Sequence, residues 1–154
     1  MSQWDATVPT PDVVLEIPLE REQLFTYLTA GKYKAYTNQE KELHPSLGPH
    51  QRLGLPVKVF VNDVLASSLN QGNEEHPKGS VMVKEMYTEN NELSGWAVMA
   101  KTQDKSDDGK GWFWYELTDP KDADMTLAMG NGVVGCIGCH SIGKDMVRSH
   151  FPFN

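Results

Sequence analysis

The residues best suited to chemistry lie near one end of the chain, in Gly135-Cys136-Ile137-Gly138-Cys139-His140. Cys136 and Cys139 are the only cysteines among 154 residues, and a histidine follows the second directly. Two thiols at this spacing, followed by an imidazole, form the attachment signal of a c-type haem. Each thiol can bond one vinyl group of the same porphyrin. The neighbouring imidazole is then held over one face of the ring, within reach of the iron. Gly138 and Ser141 keep the local chain slim, which lets a flat ring approach the backbone.

Other uses of the same residues compete with this one. A thioredoxin-like dithiol shares the spacing but belongs near a βαβ unit with strands after it, and only 15 residues follow Cys139. A zinc site needs about four ligands, and the chain holds no second cysteine pair to complete a common set. A chance pair in a small loop is the third alternative. A disulfide framework would need more cysteines, spread along the chain. The motif therefore predicts one haem c, tethered by Cys136 and Cys139, with His140 on the metal. Attachment of this kind takes place outside the bacterial cytoplasm, so a periplasmic location is expected. Met1-Ser2-Gln3-Trp4 has neither a basic start nor an apolar run, so no export signal is read in the chain itself.

Electron-transfer cytochromes usually close the sixth iron position with methionine or histidine. Met82, Met86, Met99, Met125, Met129, Met146, His44, His50, His76 and His150 are the residues available. Methionine is most often a core filler, and His44 and His50 flank prolines in a loop. Small electron carriers are mostly helical with the haem motif near the N-terminus, whereas here it lies at the far end behind strands. A five-coordinate iron is the expectation, with His140 its only protein ligand.

These residues must be positioned by the rest of the chain. Residues 1–18, with Pro9, Pro11 and Pro18, read as an extended arm. Leu24, Phe25 and Leu28 recur at helical spacing over Leu19–Ala30, with Gly31 at the capping position. Residues 32–56 read as irregular. Val57–Val61 is β-branched and aromatic, hence a strand, and Asn62 caps a short helix that ends at Gly72. Strands are expected over Gly79–Thr88, Glu92–Thr102 and Gly111–Leu117, as an antiparallel meander. After Pro120 the pattern reads as helical to about Met129, and Ser141–His150 as a last short helix. The fold class is α+β in one domain, an antiparallel sheet with short helices and a C-terminal helical segment carrying the motif.

Alternation in Gly79–Thr88 places Lys84 on one face with Met82 and Met86, and Glu85 on the other. A buried ammonium is costly unless paired, although a lysine stem can reach out to water.

Composition narrows the function. Fourteen Lys and Arg against twenty-one Asp and Glu give a net charge of −7, which disfavours nucleic acid as a partner. Mean hydropathy is −0.48, and no stretch approaches the roughly 20 apolar residues of a membrane span. At 39% hydrophobic and 23% charged residues, the chain has the balance of an acidic globular domain.

Four segments in order carry a resemblance: Lys78-Gly79-Ser80-Val81-Met82-Val83-Lys84-Glu85, Gly95-Trp96-Ala97-Val98-Met99, Gly111-Trp112-Phe113-Trp114-Tyr115-Glu116 and the C-terminal Cys136-x-x-Cys139-His140. Together they resemble the cytochrome P460 family and the related β-type cytochromes c′ over about residues 40–150. The resemblance implies periplasmic, sheet-rich homodimers with one haem c per chain, served by a soluble electron-transfer partner. In the hydroxylamine-oxidising members a strand lysine forms an extra bond to the porphyrin, and Lys84 occupies that position. The β-type cytochromes c′ instead bind nitric oxide or carbon monoxide beneath an apolar cap, for which Phe60, equally well a core residue, and Met99 are the candidates. Hydroxylamine oxidation profits from a nearby base. The Gly95–Lys101 strand carries no carboxylate, and Glu116 is only a neighbour in sequence. Oxidation of hydroxylamine, simple ligand binding and electron transfer thus remain the three functional expectations.

Overall fold

β-Branched and aromatic runs separated by short polar links pair with their neighbours in sequence, and they build one antiparallel sheet. The computed structural model describes residues 15–46, 52–141, 143–148 and 151–153. Its strands are β1 (Asn38–Gln39), β2 (His44–Pro45), β3 (Pro56–Val61), β4 (Val81–Tyr87), β5 (Leu93–Lys101), β6 (Trp112–Leu117) and β7 (Thr126–Asn131). The order across the sheet is β1-β3-β4-β5-β6-β7, with β2 also paired to β3. The α-helices among the described residues are α1 (Arg21–Thr29), α2 (Asp63–Gln71) and α3 (Val134–His140). This is the expected α+β architecture.

Local chemistry explains the helix ends. Glu20 caps α1 by accepting from the Glu22 and Gln23 N–H groups at 3.1 Å. The Asn62 side chain accepts from Leu65 N–H at 3.1 Å, and Gly72 closes α2 in the left-handed conformation at φ 67°.

The sheet is covered on both faces, so β5 is buried at every position from Gly95 onward. On one face α1 and the turn Lys32–Ala35 pack Leu24, Leu28 and Tyr33 onto Phe60, Val83, Trp96, Val98, Phe113 and Tyr115. On the other, α2 and the C-terminal segment pack Leu65, Ala66, Met146 and Val147 onto Val59, Val61, Met82, Met99, Trp112 and Trp114. Trp114 is 2% exposed, and truncating such a buried aromatic to alanine costs about 3–5 kcal/mol.

Two expected helices are corrected. After Pro120 the chain makes a single 3₁₀ turn, Ala123–Met125, and then runs as strand β7. The outer edge of β6 offers a ladder of backbone partners, and Thr126–Asn131 alternates half-buried and exposed residues along it. That pairing outweighs weak local helix preference. Past Ser141, residues 144–147 form a tight turn in which Lys144 and Val147 pair, and no helix follows in the described residues up to Arg148. Residues 32–56, expected to be irregular, contribute the short strands β1 and β2. Of the expected N-terminal arm only residues 15–18 are described, with Ile17 buried in the first core. No helix among the described residues is long and apolar enough to cross a membrane.

Candidate functional site

Cys136, Cys139 and His140 stand at positions i, i+3 and i+4 of α3 and so share one side of it. Both cysteines are free thiols, Cys136 half-buried and Cys139 exposed. Cys136 and Ile137 pack against the second core. Ile137 sits on Gly109 (φ +93°), where a Cβ would lie 2.5 Å from the isoleucine Cγ1. The Trp114 indole N–H donates to the Gly109 carbonyl at 3.1 Å, and its ring centre lies 4.9 Å from that of His140. A bare glycine and a tryptophan thus set where the motif helix lands on the sheet.

The imidazole is oriented from behind. His140 Nδ1–H donates to the Met146 carbonyl at 2.7 Å. In the neutral ring this hydrogen bond leaves the lone pair on Nε2, the tautomer and support that metal-bound imidazoles have. A Cβ at Gly135 or Gly138 would meet nothing within 4 Å, so the backbone next to each cysteine faces open space. Burial pushes the Cys136 thiol up to about 11, with Glu116 and Cys139 adding to the rise. Dithiol redox centres depend on a lowered thiol pKa, so the structure disfavours that use of the pair. Among the described residues no three His, Cys, Asp or Glu side chains gather as a ligand set for a bare metal ion. Thiol pair, supported imidazole and slim backbone fit an iron carried in a tethered ring.

The sheet supplies the opposing chemistry. Strand register aligns Val59, Lys84, Ala97, Glu116 and Ala128 in one row across β3 to β7. This row lies on the face that carries Met82, Met99 and Trp114, the face against which Cys136 packs. Burial lowers the pKa of the Lys84 ammonium, against the opposing pull of Glu40 and Glu116, while Arg148 lowers it further. The Glu116 carboxylate therefore acts on both Lys84 and Cys136. Amine, acid and thiol share one neighbourhood.

The other expected residues separate into groups. Met99 is buried in the second core, paired across the strands with Met82 and Trp114. Phe60 faces the opposite side of the sheet, with its ring centre 4.9 Å from Tyr33 and Lys58 Nζ 5.2 Å above it. Alternation in β3 sends Val59 and Val61 toward the thiols and Phe60 away, so Phe60 packs as a core residue and not beside Lys84. Glu85 also points away from Lys84, as expected, and accepts from the Tyr33 and Tyr87 hydroxyls at 2.5 Å. Met125 and Met129 are exposed. His44 pairs with Glu40 at 2.9 Å, and buried His76 shares a hydrogen bond of 2.7 Å with Ser68. His50 and His150 lie outside the described residues.

Sequence reasoning left two residues of this site unassigned. Glu116 follows Trp112 and Trp114 at period two, and that alternation is the signal that places it on their face. Asp145, buried behind the histidine support, takes partners distant in sequence and has no local signature.

A family model described as Cytochrome P460 matches residues 32–148 of the chain. No curated protein matches it.

Proposed function

Because the chain belongs to the cytochrome P460 family and is thus a c-type haem protein, we propose that it binds hydroxylamine and related small nitrogen oxides at an open iron position and oxidises hydroxylamine in the bacterial periplasm. The observation that supports this reading is the register that puts Lys84 and Glu116 on one face, two strands apart, the face against which Cys136 packs.

Cys136 and Cys139 would hold the ring, and His140 would bind the iron through Nε2, its Nδ1–H remaining on the Met146 carbonyl. When bound, the haem supplies Lewis-acid iron and a sink for the substrate's electrons. Glu116 accepts the proton that leaves the substrate nitrogen or oxygen. Lys84, whose ammonium burial destabilises against the pull of Glu40 and Glu116, is the residue for the additional bond to the porphyrin. Met82, Met99 and Ala97 keep the same face dry, which strengthens the electrostatics of the two polar groups. A soluble electron-transfer protein takes the electrons onward. Two copies pair through the exposed apolar residues Leu127 and Met129 on edge strand β7, whose outer backbone groups no other strand covers among the described residues.

Turnover of hydroxylamine by the haem-loaded protein with an artificial electron acceptor tests the oxidation. Sustained acceptor reduction is expected, and its absence at full haem loading would sink it. A ferrous spectrum with a strongly red-shifted Soret band is expected from the Lys84 bond and should revert in Lys84→Ala. A second reading, a non-catalytic nitric oxide or carbon monoxide binder, is favoured by the apolar Met82, Met99 and Ala97. That reading predicts tight ligand binding without turnover.

A further inference from the structure

Behind His140 the chain adopts a conformation that its own sequence disfavours. Lys144 and Val147 exchange two backbone hydrogen bonds of 3.1 Å, closing a hairpin turn with Asp145 and Met146 at its tip. Both tip residues have positive φ, 44° and 70°, the pattern of a type I′ turn. Such turns favour Asn-Gly, because a positive φ is strained for an ordinary L-residue. An Asp-Met pair will not hold this shape by itself.

The anchor is the Asp145 carboxylate, whose side chain is fully buried. Oδ2 accepts from Lys101 Nζ at 2.6 Å and from His76 N–H at 2.7 Å, and Oδ1 accepts from Trp112 Nε1 at 3.1 Å. Lys101 Nζ donates also to the His76 carbonyl at 2.6 Å, so the ammonium is buried but not unpaired. The next residue, Met146, packs its side chain in the second core and presents its carbonyl to His140 Nδ1–H at 2.7 Å.

We propose that Asp145, clamped by Lys101 and Trp112, is a positioning residue for His140: it holds the strained turn whose Met146 carbonyl orients the imidazole and raises its basicity toward the iron. The effect travels through one peptide unit. It rests on the haem reading above, and it concerns the strength of the iron–histidine bond, not the reaction. Stronger donation from Nδ1–H makes Nε2 a better donor, which stiffens the bond to ferrous iron and lowers the reduction potential.

The test is resonance Raman spectroscopy of the ferrous haem-loaded protein, together with redox titration and thermal unfolding. Lys101→Met/Asp145→Asn removes both charges at once and leaves no lone buried ion. Its iron–histidine stretch is expected at lower frequency and its potential at a more positive value. Adding Met146→Gly supplies the Asn-Gly pair that forms a type I′ turn unaided, and both readouts are expected to return toward wild type. Should the pair variant not accumulate, Trp112→Phe deletes one hydrogen bond to Asp145 without changing charge, and a smaller shift in the same direction is expected. An unshifted stretch in a variant that has lost thermal stability would make Asp145 merely structural and overturn the inference, as would a shift that Met146→Gly does not reverse. Protein that matures without covalent haem would overturn the haem reading itself, which pyridine haemochrome analysis reveals separately.

Discussion

At Glu116 two requirements meet: β6 alternates Trp112, Trp114 and Glu116 onto one face, and antiparallel register sets Glu116 beside Ala97. A proton acceptor there should matter to turnover and little to ligand capture. Glu116→Gln is therefore expected to lower hydroxylamine oxidation by about 10²–10⁴-fold, the usual worth of a positioned base. Nitric oxide binding, followed by optical titration, should persist; equal loss of both would remove Glu116 from proton transfer. The thiols make a second expectation. Cys136→Ser/Cys139→Ser should lose its pigment to acidified acetone, whereas each single variant keeps one thioether and retains it. The motif was fully legible because its spacing is a local property of six consecutive residues. The partnership of Glu116 with Lys84 was not legible, because it depends on how two strands pair across a third.

Elements carry the site through close approaches. Gly95 in β5 lies where a Cβ would come within 2.0 Å of the Leu117 carbonyl, beside the register shift that follows Glu116. Gly95→Ala must push β6 outward, with a cost of about 1–3 kcal/mol, read as a lower melting temperature. Weakened turnover should accompany it, since the displaced strand carries Glu116. The turn at 144–147 makes a pH prediction. Burial by itself would raise the Asp145 carboxyl, but hydrogen bonds from Lys101, Ser106, the His76 N–H and Trp112 outweigh it and hold the group below its ordinary 3.8. A depressed carboxyl contributes stability that is complete above its unfolded pKa and fades as pH falls through the folded one. The melting-temperature gap between wild type and Asp145→Asn should be constant above about pH 5 and shrink below about pH 4. A gap unchanged at pH 2 would contradict that origin.

For the whole molecule, one sheet divides two cores with different work. The α1 side is packing: Tyr33, Phe60 and Trp96 interlock there, and Trp96 Nε1 donates to the Tyr33 hydroxyl at 2.8 Å. The α3 side gathers the groups of the candidate site, with thiols, imidazole, amine and carboxylate on or above a single face. At the rim, Leu127 and Met129 are 69% and 39% exposed on an edge strand, a state that solitary domains avoid. Leu127→Lys/Met129→Lys is expected to halve the mass measured by light scattering, with the haem spectrum unchanged. A wild-type protein that elutes as a monomer would refute pairing through β7.

What the sequence determined by itself is whatever neighbouring residues decide: the haem motif, the Asn62 and Gly72 caps of α2, and the alternation that separates Lys84 from Glu85. Each depends on groups within a few residues of one another, so order along the chain is enough. Only the tertiary structure decided that residues 126–131 join the sheet, that Phe60 faces away from the thiols, and that Asp145 reaches Lys101 across 44 positions. Those outcomes turn on strand register and on buried hydrogen bonds between distant segments, and such energies exist only once the chain has closed on itself.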